Sequence, residues 1–396
     1  MDSVLAHLST DGCKKEKRLK NSEKGRLYFL DHLRTFIIFL VVVYHSGWVF
    51  ERSGLLSSVW IVDDPSKNNF SGLMNLIVDM FMMPTMFFIS GYFTPPSLKS
   101  QTGWSFLISR FKRLMVPWIL AVLTLLPLYK VIYLFSRHLP QASLSAYFHF
   151  NGGILINQGW LWFLPVLFLF DISYLALSKV NLPTRDIGLK VAVPAVFLIG
   201  FFYSFVMSWY GFYGWTKTTL LDFQNERILI YFMAFLLGAL CWKLNVFEKA
   251  PTRKTPYYLV CATIWIPMNV YIIFLLNLIF NPGQFIVSGT IDVALTWLGF
   301  NLSLLGLMYI IINSFRYYLN RRGKLLAWLN RCSFGVYIIH FIVMGVTAVI
   351  LLHATKPSLI KYTLLIVTTY AASNLIVYLY QLSVQSVRKT FSVRPS

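Results

Sequence analysis

Apolar residues in this chain collect into runs of about 17–25, the length that crosses a bilayer as a helix. Ten such runs centre on 34–50, 70–94, 114–135, 160–178, 190–209, 229–245, 258–280, 288–313, 333–353 and 358–384. The polar connections between them are too short to form domains, and no internal repeat or low-complexity segment interrupts the pattern. The pattern predicts an all-α, polytopic membrane protein of about ten transmembrane helices. Composition agrees: 57% of the 396 residues are hydrophobic and only 13% are charged. Average soluble domains carry about 25% charged residues.

The net charge of +20 invites a nucleic-acid partner, but the placement of the charges argues against one. Basic residues crowd alternate connections: Lys99, Arg110, Lys112 and Arg113; then Lys179, Arg185 and Lys190; then Lys243, Lys249, Arg253 and Lys254; then Arg316, Arg321, Arg322, Lys324 and Arg331. The intervening connections keep only Arg52, Lys67, Arg137, Lys217, Arg227 and Lys356. Basic loops stay in the cytoplasm, so both termini are expected there. The sequence has no cleavable signal pattern, which makes the run at 34–50 an uncleaved first span. Residues 1–26 read as a disordered basic tail near lipid headgroups, 27–385 as one membrane domain, and 386–396 as a second basic tail. The expected location is multi-pass in the plasma membrane, or the inner membrane of a Gram-negative cell. The four scattered cysteines (Cys13, Cys241, Cys261, Cys332) suggest neither a disulfide nor a metal site.

The candidate chemistry begins in FLDHLRTFIIFLVVVYH. Arg34 and His45 are eleven residues apart, about three helical turns, so they share a face roughly 16 Å apart. Arg34 is expected at the membrane edge and His45 near mid-depth, where an ionisable group is a functional candidate. Asp79, in the second span, is either a partner for His45 or a structural anchor; Asp171 and Asp292 are further intramembrane carboxyls. Ser90-Gly91 allows close helix approach, and Pro95-Pro96 is expected to end that span. Arg110 and Arg113 fall on one side of a helix and suit phosphate, although helix ends in the cytoplasm collect basic residues anyway. Trp160 to Pro165 reads as an interfacial aromatic belt. Glu226 and Arg227 are placed to neutralise each other. Ser333, Tyr337 and His340 form a polar stripe on an apolar helix, with His340 at a depth similar to that of His45. The connections 51–69, 136–159 and 210–228 either line an entry for a partly apolar or sugar-like substrate or simply anchor helix ends.

A buried histidine with arginines at the cytoplasmic mouth fits acyl transfer from a phosphate-rich donor, a proton relay in a transporter, or polar glue in a scaffold. No phosphate-binding loop, zinc-protease, serine-hydrolase or dinucleotide fingerprint is present.

Beyond these readings, the opening stretch resembles the acyltransferase-3 family of integral membrane O-acyltransferases. That family typically begins with Leu-Asp-x-x-Arg and carries Arg, ten residues, then His in its first span, as Arg34 and His45 do. Its Arg-x-x-Arg motif matches Arg110 and Arg113, and FFISGYF (87–93), LWFLPVLF (161–168) and SFGVYIIH (333–340) look like family blocks. The resemblance runs from about residue 26 to 385 and is nearest the branch that acylates membrane-derived glucans. It implies transfer of an acetyl, succinyl or similar group from acyl-coenzyme A, a co-substrate and not a resident cofactor, to a hydroxyl of a carbohydrate, glycan or glycolipid. His45 would be the catalytic base, Arg34 would position the donor or the histidine, and Arg110 and Arg113 would bind donor phosphates. Asp31 would cap the helix and pair with Arg34. Ser333 and His340 match a block whose role the resemblance does not specify. The chain lacks the C-terminal hydrolase-like domain of some members, so the membrane domain or a separate partner would complete transfer.

Overall fold

The computed structural model describes residues 27–148, 158–180, 187–218, 220–248 and 254–392. The basic tail 1–26, the connection holding Arg185, and Lys249 and Arg253 lie outside these residues. The helices are α1 (Tyr28–Phe50), α2 (Asn69–Lys99), α3 (Gly103–Ser136), α4 (Phe163–Lys179), α5 (Leu189–Trp209), α6 (Ile228–Lys243), α7 (Thr255–Thr263), α8 (Trp265–Phe280), α9 (Gly289–Tyr318), α10 (Lys324–Leu352) and α11 (Ser358–Ser392). Every apolar run predicted as a span is therefore helical. Among the described residues nine stretches are long and apolar enough to cross a membrane, with α7 and α8 counted as one, while α6 is shorter. Helices satisfy their own backbone groups, which is what hydrocarbon demands.

Local chemistry sets several boundaries. Asn68, Thr102 and Ser288 cap α2, α3 and α9 by accepting from the amides of Ser71, Ser105 and Ile291. Pro267 cannot donate to the Thr263 carbonyl, and the span 255–280 breaks there into α7 and α8. Pro95-Pro96 does not end α2, which runs on to Lys99. Membrane helices tolerate proline where neighbouring helices and Ser/Thr side chains supply polar partners, and the Ser90 and Thr94 hydroxyls donate to the Met86 and Ser90 carbonyls along this stretch. α11 likewise continues to Ser392, into the segment expected as a tail.

Helices α1 and α2 sit at the centre, whereas α7 and α8 turn almost wholly outward and pack mainly on α9. The tightest crossing is α2 on α6. A Cβ on Gly91 would run into the Phe235 carbonyl, and one on Gly238 into the Phe88 carbonyl, so both glycines are needed for the backbones to approach. Gly91→Val is expected to destabilise the bundle by about 3 kcal/mol or more. Thermal unfolding in detergent checks this, with a clear fall in midpoint as the expected result.

The connection 51–69 folds inward as a plug. Trp60, Ile61 and Val62 are buried, and Arg137 donates to the Ser57 and Trp60 carbonyls at 2.6 and 2.8 Å. Beneath it Lys361 and Asp64, 2% and 1% exposed, pair at 2.8 Å. The connection 210–228 adds the only strands among the described residues: β1 (Trp215–Lys217) and β2 (Asp222–Gln224), paired antiparallel with Trp215 opposite Gln224.

Candidate active site

The structure joins α1 to α10 through their histidines. The rings of His45 and His340 meet edge to edge and nearly coplanar, with centroids 5.1 Å apart and 14° between planes, and His45 Nδ1 lies 2.8 Å from His340 Nε2. His340 Nδ1 lies 3.1 and 2.8 Å from the Val336 and Tyr337 carbonyls. Carbonyls only accept, so His340 Nδ1 carries a hydrogen, and in the neutral ring its Nε2 is a lone pair. His45 Nδ1 must then be the donor between the rings. That leaves the lone pair of His45 on Nε2, the nitrogen arrangement a general base requires.

His45 lines a cavity of about 50 Å³ together with Tyr44, Asp79, Trp160, Trp162, Trp215, Gln224, Tyr231 and Tyr337. Trp60 and Phe341 pack around the histidine, with centroids 5.8 and 5.1 Å from its ring. Trp160 is not part of an interfacial belt. It is 4% exposed, stacks on Phe341 at 4.6 Å and donates to the Ile338 carbonyl, while Tyr337 donates to the Trp160 carbonyl at 2.6 Å. These reciprocal bonds tie α10 to the turn at 159–162 and hold His340 in place. Ser333, at the start of the stripe, donates to the Asn330 carbonyl below the cavity. The stripe on α10 is therefore buried, with Tyr337 in the cavity wall and His340 behind His45.

Asp79 is the partner of Arg227, not of His45, with an Nη1–Oδ2 distance of 2.5 Å. Arg227 also donates to the Tyr271 hydroxyl and lies over the Phe300 ring. Glu226 accepts from the Gly214 amide, and the direct ion pair of Arg227 is with Asp79 and not with its sequence neighbour. Asp292 accepts from the amides of Ile286 and Val287 and fixes the entry to α9. Trp215 and Gln224 come from the connection 210–228, one of those expected either to line an entry or to anchor helix ends, and they line the cavity.

α1 starts at Tyr28, so Arg34 lies well inside the helix and His45 in its last third, closer to the end opposite Arg34 than mid-depth. Asp31 does not cap α1; Leu27 holds that position without a side-chain bond, and Asp31 pairs with Arg34 at 3.8 Å. His32, which carried no sequence expectation, bonds the Arg321 carbonyl and the Asn330 amide and ties α1 to the 319–323 turn. Arg110 and Arg113 share α3 but not an environment. Arg110 is largely buried beside Asp171, Nε–Oδ2 3.5 Å, while Arg113 is exposed. Asp171 also accepts from Thr94. The two guanidiniums are therefore not an open matched pair, because one already faces a carboxylate.

A family description, an acyltransferase domain, matches residues 27–378. No curated protein and no solved structure matches the chain.

Proposed function

The chain belongs to the acyltransferase-3 family of membrane acyltransferases, and on that premise we propose that it moves an acetyl, succinyl or similar group from acyl-coenzyme A to a hydroxyl of a carbohydrate, glycan or glycolipid. The observation that carries this reading is the His45–His340 pair, which leaves His45 Nε2 as an acceptor at the small cavity. His45 Nε2 takes the proton from the acceptor hydroxyl as its oxygen attacks the thioester carbonyl. The carbon–sulfur bond breaks, and the imidazolium returns the proton to the leaving thiolate, giving an ester and free coenzyme A. His340 acts through His45: its lone pair fixes the tautomer and steadies the charge that His45 acquires, a positioning role.

The donor enters from the basic end, taken as cytoplasmic in the plasma membrane. Its phosphates meet Arg113 and Arg34, and its extended arm runs along α1 to His45, roughly 16 Å beyond Arg34 by helical rise. Arg110 has its Asp171 partner and serves mainly to join α3 to α4. Proton-coupled transport, the other reading of these buried groups, gains nothing from membership of a transferase family.

The experiment supplies the purified protein with acetyl-coenzyme A and a hydroxyl acceptor and follows thiol release. Release that depends on acceptor is expected, and thiol release unaffected by acceptor would overturn the reading. In the same assay Arg113→Ala is expected to raise the KM for the donor about tenfold with kcat kept, the mark of lost ground-state binding. Arg110→Ala is expected to lower thermal stability more than it changes KM.

A further inference from the structure

A second, larger cavity of about 600 Å³ lies at the end of the bundle opposite the basic loops, between the end of α1, the start of α2 and the end of α8. We infer, building on the transferase reading above, that it is the acceptor site and receives a membrane amphiphile with an uncharged, hydroxylated headgroup.

Three observations lead there. The cavity at His45 is about 50 Å³ against about 600 Å³ for the larger one, too small for a sugar ring with an alkyl chain, so only the reacting end of such an acceptor fits beside the histidine. The rest of any acceptor must lie elsewhere, and Tyr44 and Asp79 line both cavities, so the larger one adjoins the smaller across these two side chains. The walls of the larger cavity are also divided by chemistry. Leu73 and Leu76 on α2 and Leu276, Ile279 and Phe280 on α8 are apolar, and Leu73, Ile279 and Phe280 are 44%, 37% and 52% exposed on the outer face of the bundle. This side opens laterally, toward acyl chains. The opposite wall carries the carboxylates of Glu51 and Asp79, acceptors that suit the hydroxyls of a sugar and disfavour a phosphate, with Arg52 at the exposed rim. Glu51 is held in place by the amides of Ser53 and Gly54. An alkyl chain against α8, with its headgroup against α1 and α2, presents a hydroxyl between Tyr44 and Asp79 on the side that faces His45.

The test uses an octyl glucoside bearing a diazirine in its alkyl chain. After photolysis in nanodiscs, labelled peptides are mapped by mass spectrometry. Label concentrated on 70–76 and 276–280, displaced by plain octyl glucoside and not by methyl glucoside, is the expected result. Label spread evenly over the lipid-facing helices would overturn the site. In the transfer assay Leu276→Trp, which fills the apolar side, is expected to raise the KM for octyl glucoside about tenfold. The KM for acetyl-coenzyme A should stay within about twofold. Equal KM for the variant and the parent overturns the proposal even where transfer occurs. Concentrated label on a protein that transfers no acyl group leaves the site standing and removes the transferase chemistry instead. The photolabelling readout also guards against a misfolded variant, because it is made on the unaltered protein.

Discussion

Replacing His45 with alanine is expected to lower acyl transfer by a factor on the order of 10²–10⁴, the range by which a positioned general base accelerates proton removal. The protein should still fold. His45 is partly exposed to its cavity, and the change leaves one acceptor, His340 Nε2, beside a space that admits a water. The ring also packs against Trp60 and Phe341, so a loss of about 1–3 kcal/mol of stability is expected, too small to prevent insertion. His45→Gln sharpens the test. Its amide can still donate toward His340, yet it offers no base, so structure should be kept and transfer lost. Transfer rates measured beside thermal midpoints check both halves. A glutamine variant with full activity would show that His45 is polar glue between α1 and α10.

The second large effect concerns stability. Asp79→Ala is expected to cost about 3–5 kcal/mol, because it leaves the buried Arg227 guanidinium without its carboxylate. Arg227→Ala should cost less. The side chain of Asp79 is 24% exposed and borders both cavities, so water can take the place of the arginine, whereas the side chain of Arg227 is 8% exposed and enclosed by Tyr271 and Phe300. The double variant should lose less than the sum of the two, since no uncompensated charge remains. Unfolding midpoints of the three variants in one detergent decide the order. Equal costs for the two single variants would mean that the cavity side of Asp79 is as dry as the arginine side.

Much of the architecture is legible in the sequence, since a helix that crosses hydrocarbon must announce itself by a long apolar run. His45 and His340 are legible too, because a histidine inside such a run is expensive and similar helical offsets put the two at similar depth. Their direct contact is not, because depth along two helices says nothing of how each is rotated. The pairing of Asp79 with Arg227 was hidden for a related reason: Arg227 sits beside Glu226 in sequence, while the fold brings Asp79, 148 positions away, against the guanidinium. Arg110 and Arg113 show the limit of spacing arguments. Three residues apart they share a side of α3, but Asp171, supplied by α4, separates their environments. The Trp160 segment misleads because aromatics at a span's edge serve equally as belt or as site wall. Only the inward fold of the neighbouring connections decides between them.

The central claim is that His45 moves the proton as an acyl group passes from a thioester to a hydroxyl. The most direct measurement incubates the purified protein in nanodiscs with isotope-labelled acetyl-coenzyme A and octyl glucoside, and quantifies labelled ester and free thiol together by mass spectrometry. Ester and thiol should appear in equal amounts, and both should fall to background in His45→Ala. Ester formed undiminished by that variant, or thiol released without ester, would contradict the account.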